Sequence, residues 1–224
     1  MNSIMETVCS VCNKVQANSR NGSTFPEVLK SLRKEFKIHD IELKIRSRKD
    51  KTLDNAEFYV HAYYDAFDDS NLDVPIEVII NNNFDRGQSW DQKQVRDFLV
   101  QVYDAVVHEK KHQRQSRKRN HAQYWEHHDA GYHYHEYLQD PDEVDAYALS
   151  IAIELCRTMG KYRASRHLCR FTTLARLKVN GDYVSPNLHA YVSHFEKPIS
   201  PLLRRLAKKV YVRLKKIDTD YIFQ

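Results

Sequence analysis

The sequence predicts an α+β fold, in which a small β-sheet precedes two long helices and a helical C-terminal extension. Runs of β-branched and aromatic residues lie between positions 41 and 80. Apolar residues recur at helical spacing from position 95, and again after the Asp-Pro pair at 140–141. The chain has 224 residues, of which 42% are hydrophobic, so it can bury a core.

The first elements are expected to be a loose segment and a helix. Residues 1–24 end in the polar stretch NSRNGST, and we expect them to be loosely ordered. Residues 25–36 carry apolar side chains at helical spacing, and Pro26 suits the start of a helix. This pattern predicts the first helix of the main domain.

Three strand-like runs follow this helix. Residues 41–47 alternate between apolar and polar side chains, residues 57–67 are rich in Tyr, Phe and Val, and residues 76–80 are β-branched. The run Asn81-Asn82-Asn83 and the pair Arg86-Gly87 have turn chemistry and are expected to close the last strand.

A long helix is predicted next, with Ser89 or Asp91 as its cap. Its apolar face is formed by Val95, Phe98, Leu99, Val102 and Val106. A separate stripe at the edge of that face holds Gln101, Asp104, His108, His112 and Gln115.

The most informative motif is His-Glu-Lys-Lys-His at positions 108–112 of this helix. Four residues make a little over one turn, so His108 and His112 project from the same face. Two neutral imidazoles so placed can share one zinc ion, and Glu109 can take a proton from a metal-bound water. The pattern H-E-x-x-H is the signature of zinc-dependent peptidases. Asp104, one turn earlier, can accept the outer N–H of an imidazole.

A catalytic zinc usually has a third protein ligand, and the strongest candidate is Glu143 in the segment DPDEVDAYA. Glu143 lies 31 residues after the second histidine. Asp140, Pro141 and Glu143 also match a capping box, which would explain the glutamate without any metal. Both interpretations stay open. Tyr147, one turn further on, can help to hold a reaction intermediate or simply pack.

Residues 121–135 hold five of the twelve histidines. His133 and His135 are the candidates here for a further ligand, an imidazole that stabilises an oxyanion, or a substrate-binding rim. The alternative is an aromatic, polar loop without a ligand role.

The four cysteines give only a weak signal. Cys9 and Cys12 have half of a zinc-knuckle spacing, but a second pair is missing. Cys156 and Cys169 lie in helical patterns, where they are expected to be buried small hydrophobic residues. We see no secretory signal and no apolar run long enough to span a bilayer, so a cytoplasmic location without membrane contact is expected.

Basic residues cluster at positions 110–119 and 204–216 of a chain with a formal charge of +5. Such clusters can contact nucleic acid, although they are more often solvated helix faces. Residues 198–216 are predicted to form an amphipathic helix that packs on the main domain.

Taken together, the two motifs resemble those of the gluzincin-type minimal zinc peptidases. More narrowly, HEKKHQRQ at 108–115 and DPDEVDAYA at 140–148 are similar to bacteriophage proteins with H-E-x-x-H-x-x-Q followed by D-P-x-E-x-x-A-x-A. The order of the motifs also resembles the ImmA/IrrE type of peptidase. Gln115 and Lys118 exclude the metzincin pattern, and Lys110 and Lys111 replace residues that are usually uncharged.

The resemblance implies a zincin-like fold, zinc bound by His108, His112 and Glu143, and Glu109 as the general base. It implies a protein or peptide substrate, and an action in the host cytoplasm or in the virion. The expected domains are residues 25–160, a zincin-like metallopeptidase domain, and residues 161–224, a helical extension. Two alternatives are an inactive zincin-fold phage protein with a structural or binding role and, less favoured, a basic nucleic-acid-binding protein.

Overall fold

The computed structural model describes residues 2–19, 22–39, 41–54, 57–65, 74–85, 87–120, 134–195 and 200–224, with the backbone alone for Asn2, Tyr134 and His135. The fold is α+β, as predicted. The chain divides into two compact units, residues 1–121 with 223–224, and residues 122–222. The expected domain boundaries near residues 24 and 160 stay predictions. Within the described ranges, every helix is too short or too polar to cross a bilayer.

The described residues of the first unit form three helices and five strands. The helices are α1 (Asn2–Asn18), α2 (Phe25–Ile38) and α3 (Gln92–Lys118). The strands are β1 (Ser23–Thr24), β2 (Leu43–Lys49), β3 (Phe58–Tyr63), β4 (Ile76–Asn82) and β5 (Ser89–Trp90). β2, β4 and β3 form a sheet in that order, with β2 parallel and β3 antiparallel to β4, while β1 pairs with β5.

The prediction that residues 1–24 are loosely ordered is wrong for most of this segment. It forms the 17-residue helix α1. Buried apolar side chains recur at intervals of three and four residues along it, at Met5, Val8, Val11, Cys12 and Val15. This spacing gives α1 one apolar stripe, so the helix is stabilised by packing against α2 and α3 rather than by strong end caps.

The three predicted strands are present, but the second is shorter than the predicted run of residues 57–67 and the last is longer than expected. Residues 66–67 of that run lie outside the described residues. Asn81 and Asn82 were predicted to form a turn and instead belong to β4. The side chain of Asn82 is buried, and its Nδ2 donates to Ser47 Oγ at 2.9 Å and to the carbonyl oxygen of Arg48 at 3.0 Å. These bonds to β2 satisfy the amide inside the sheet, so the strand continues through a residue type that usually favours turns.

One face of the three-stranded sheet packs into the core of this unit. Ile76, Val78, Ile80 and Val60 on this face are buried. An aromatic cluster lies at one end, consisting of Phe25, Phe58, Phe84, Trp90 and Phe98. The apolar faces of α2 and α3 therefore cover one side of the sheet.

α3 begins where the sequence predicts. Asp91 is the cap, its Oδ1 accepting from the Gln94 N–H at 2.7 Å while Gln94 Oε1 accepts from the Asp91 N–H at 3.0 Å. The five predicted core residues are all buried, namely Val95, Phe98, Leu99, Val102 and Val106. The spacing of apolar residues in the sequence therefore predicted the buried face of α3 correctly.

The second unit is mainly helical. Its helices are α4 (Tyr134–Tyr137), α5 (Pro141–Met159), α6 (Lys161–His167), α7 (Phe171–Ala175), α8 (Pro186–His194) and α9 (Pro201–Lys216). A short hairpin joins β6 (Lys178–Val179) to β7 (Asp182–Tyr183). Asn180 and Gly181 in its turn have φ of +53° and +94°, the left-handed conformation that such a two-residue turn needs.

The C-terminal helix α9 is amphipathic, as predicted. Its buried stripe, which consists of Leu203, Leu206, Val210 and Leu214, packs against α5. Asp145 on α5 accepts from Lys209 Nζ at 3.1 Å and from Arg213 at 2.6 Å. Two of the basic residues of this helix are therefore used to dock it onto α5.

Candidate metal site

The two histidines of the motif converge as the helical spacing predicts. His108 and His112 lie on α3, and both side chains are half-buried. Their Nε2 atoms are 3.2 Å apart. Two nitrogen ligands at about 2.0–2.1 Å from one tetrahedral zinc are about 3.3–3.4 Å from each other. The imidazole pair therefore already has the separation that one shared metal ion requires.

Glu143 lies in the first turn of α5, after the cap that the sequence predicts. Asp140 Oδ1 accepts from the Asp142 N–H at 2.7 Å. The N–H of Asp140 donates to the carbonyl oxygen of Tyr137 at 3.1 Å. Burial raises the pKa of Asp140. The cap thus forms through Asp140, as the sequence predicts, and both interpretations of Glu143 stay open.

The structure brings the three predicted ligands together. One ligand atom from each of His108, His112 and Glu143 lies within 4.8 Å of the other two, and all three side chains are half-buried. Two imidazole nitrogens and a carboxylate oxygen are donors that suit several divalent transition metals. The group could therefore hold a metal ion.

Glu109 is oriented by the backbone at the end of β3. Its Oε2 accepts a hydrogen bond from the Tyr64 N–H at 2.9 Å. Two turns earlier on α3, Gln101 Oε1 accepts from the Val60 N–H at 3.0 Å. These two bonds hold α3 along the edge of β3 and direct the Glu109 carboxylate. Sequence reasoning missed this role of Gln101, although it had placed that residue on the same stripe as the histidines.

The two lysines inside the motif are half-buried rather than fully exposed. Lys110 Nζ donates to Gln113 Oε1 at 2.9 Å. Gln113 is itself buried, and its Nε2 donates to the carbonyl oxygen of Val74 at 3.3 Å. Lys110 thus has a polar contact within α3, two residues from each of the two histidines.

Tyr147 packs against an aromatic neighbour. Its ring lies 5.0 Å from that of Tyr191 at an interplanar angle of 66°. Tyr191 is buried and donates its hydroxyl to the carbonyl oxygen of Leu138 at 3.0 Å. This edge-to-face contact agrees with the packing alternative for Tyr147. Its catalytic role stays a prediction.

The remaining site predictions are placed only in part. Asp104 lies one turn before His108 on α3 and is half-buried. His133 lies outside the described residues. His135 belongs to α4, and the structure describes its backbone. The roles proposed for these three residues stay predictions.

The Cys9/Cys12 pair lies on the buried stripe of α1. Cys12 Sγ donates to the carbonyl oxygen of Leu99 at 3.8 Å, and Asn13 Nδ2 donates to Cys9 Sγ at 3.4 Å. Among the described residues, these thiols belong to no group that could hold a metal. Packing accounts for both positions.

The other two cysteines differ from each other. Cys156 on α5 is buried as expected, and burial raises the pKa of its thiol to about 11. Cys169 is exposed, which corrects the prediction of a buried residue. It lies in the 3₁₀ turn Leu168–Arg170, where Leu168 rather than Cys169 points into the core.

The fold and the site thus define an α+β protein with a His/His/Glu group that could hold a metal ion. No protein-family model, curated protein or solved structure matches this chain. The resemblance to zinc peptidases therefore depends on the motifs and on the geometry of the site.

Proposed function

We propose that this protein is a zinc-dependent metallopeptidase of the zincin type. The observation that carries the proposal is the convergence of His108, His112 and Glu143, whose ligand atoms lie within 4.8 Å of one another. Two histidines and a glutamate are one of the ligand sets of catalytic zinc, which leaves a further position for water or substrate. When bound, zinc acts as a Lewis acid on the scissile carbonyl and makes water more acidic.

Glu109 is the proposed general base. It follows His108 directly on α3, and the hydrogen bond from the Tyr64 N–H holds one of its carboxylate oxygens. Glu109 takes a proton from the attacking water and later delivers it to the nitrogen of the leaving amine. The contact with Tyr64 is an advantage, because a carboxylate that is already fixed needs little reorganisation when the proton is transferred.

Metal content tests the ligand set. We expect about one zinc per chain in the purified wild type, and close to none in His108→Ala or Glu143→Ala. Asp142→Ala, one residue from Glu143 on the same helical turn, is the matched control and should retain the metal. Equal metal content in wild type and His108→Ala would defeat the proposal. Preference for iron over zinc would favour the oxygenase chemistry that two histidines and a carboxylate also support.

Glu109→Gln tests the reaction. The amide keeps an oxygen that can accept the Tyr64 N–H, but it cannot carry the proton. We expect unchanged zinc content and a fall in kcat/KM of about 10²–10⁴-fold on unfolded protein or mixed peptide substrates. Loss of zinc together with activity would show a structural role for Glu109. Zinc-loaded wild type without hydrolysis would favour the alternative of an inactive binding module.

A further inference from the structure

The face of the three-stranded sheet opposite the core has an unusual composition. The register places Glu77 between Lys44 and Tyr63, Ile79 between Arg46 and His61, and Asn81 between Arg48 and Tyr59. Because side chains alternate along a strand, these nine residues share one face. We call this surface the outer sheet face. It consists of a row of three cations on β2, a mixed central row on β4, and a row of three rings on β3.

Two of the three rings on β3 are open to solvent, and His61 between them is half-buried. Tyr59 and Tyr63 are 55% and 45% exposed, values that are high for tyrosines inside a strand. The rings of Tyr59 and His61 are 5.2 Å apart at an interplanar angle of 28°, close to stacked. Asn81 Nδ2 contacts His61 Nδ1 at 3.4 Å and helps to set that ring. Flat π-faces are thus presented along an edge strand.

The cationic row on β2 lies two strands away on the same face. The side chains of Lys44 and Arg46 are 53% and 45% exposed, and Arg48 is also exposed. The only acid of this face is Glu77, which is buried beneath the row and pairs with Lys44 and Arg46. Three cations against one carboxylate leave the outer sheet face net positive. β2 and β3 flank β4, so the rings and the cations are separated by about two strand spacings, near 10 Å.

The polar groups between the two rows are already engaged. The Tyr63 hydroxyl donates to Glu77 at 2.6 Å, and the Asn81 amide contacts His61. The groups that this surface offers a ligand are therefore mainly ring faces and positive charges. A partner that matches both must combine flat aromatic groups with regularly spaced negative charges.

We propose that the outer sheet face binds single-stranded nucleic acid. Bases stack on Tyr59 and on the neighbouring rings of β3, and phosphates follow the cations of β2. Rings that hold bases beside cations that hold the backbone are the general means by which proteins bind single strands. A duplex hides its base faces and offers only its charges. Since ring faces and charges do not read the sugar, DNA and RNA strands should bind alike. This activity does not depend on the proposed zinc site.

The ring contribution is tested with a labelled oligothymidylate about a dozen nucleotides long. Tyr59→Leu keeps an apolar strand residue but removes the stacking surface, and we expect Kd to rise about tenfold or more. Tyr59→Phe keeps the ring and should stay within about twofold of wild type. Thermal unfolding of each variant shows whether the strand is intact. Equal binding by the Leu and Phe variants would overturn the proposal.

The charge contribution is tested by the salt dependence of binding. Arg48→Gln should lower the slope of log K against log salt by about 0.7, the value expected for one lost phosphate contact on a single strand. The matched control is Arg205→Gln on the exposed side of α9, which makes the same charge change elsewhere and should leave the slope unchanged. An equal effect of both variants would show general attraction to a basic protein and would contradict a site on the sheet.

Competition identifies the partner class. A short oligouridylate should displace the oligothymidylate about equally well. A DNA duplex of the same length should compete at least tenfold less well, because its bases cannot reach the rings. Equal competition by the duplex or by a polyglutamate peptide would mean that charge alone is recognised, and would overturn the proposal.

Discussion

The helices α3 and α5, which carry the proposed ligands, are held in place by different kinds of contact. α3 is fixed along β3 by bonds from its side chains to backbone N–H groups, Gln101 to Val60 and Glu109 to Tyr64. α5 is fixed mainly by other side chains, through the apolar stripe of α9 and the bonds of Asp145 and Glu154, although Glu154 also accepts from the Asn187 N–H at 3.3 Å. Backbone partners tolerate sequence change better than side-chain partners, so α5 should be more sensitive to substitution.

The largest loss of stability is expected for substitution of Glu154 on α5. This carboxylate is buried in α5 and accepts from Ser185 Oγ at 2.5 Å and from Asn187 Nδ2 at 2.6 Å. Glu154→Ala removes the acceptor of the buried Ser185 hydroxyl and of the half-buried Asn187 amide, so we expect a loss of about 3 kcal/mol in the free energy of unfolding. Denaturant titration measures it. Glu136→Ala, at an exposed position, is the control and should change stability by less than about 0.5 kcal/mol.

A smaller loss is expected at Gln101 on α3. Gln101→Ala leaves the Val60 N–H without its acceptor in a partly buried place, which should cost about 1–2 kcal/mol. Gln101→Glu keeps an oxygen at the same position and should recover most of the loss. If Gln101→Ala proves as costly as Glu154→Ala, the proposed difference between the two helices is wrong.

The cap of α5 should contribute less to stability than Glu154 or Gln101. Asp140→Ala removes the acceptor for the Asp142 N–H and should lower the free energy of unfolding by about 1 kcal/mol. Asn caps helices about as well as Asp, so Asp140→Asn should be close to neutral. Equal stability of all three proteins in thermal unfolding would show that packing, not the cap, sets the start of α5.

The smallest effect should appear as a pH dependence in the sheet beside α3. The hydrogen bond from Tyr63 lowers the pKa of Glu77, with help from Arg46 and Lys44. An acid whose pKa is lowered by folding stabilises the native state fully above its unfolded pKa, near 4.3. That contribution is lost as the pH falls through the lowered value. Stability should therefore fall in acid by a smaller amount in Glu77→Gln than in wild type; parallel curves would contradict this account.

Sequence reasoning succeeded where structure depends on near neighbours. The apolar spacing of α3 lies within one stretch of chain and was predicted, and its cap Asp91 was one of the two residues that the sequence offered. It failed for α1, because a polar stretch at its end outweighed a regular apolar stripe that began at Met5. It also failed at Asn82, where cross-strand bonds overcame the turn preference of the residue.

By itself, the sequence determined the α+β class and the convergence of His108 and His112, since a spacing of four residues in a helix brings two side chains together wherever the helix lies. Tertiary structure decided the rest. Glu143 joins the histidines across 31 residues, and Glu109 finds Tyr64 across 45. The outer sheet face needs three strands in one register before its rings and cations share a surface. Contacts between distant parts of a chain depend on how its elements pack, which no local pattern records.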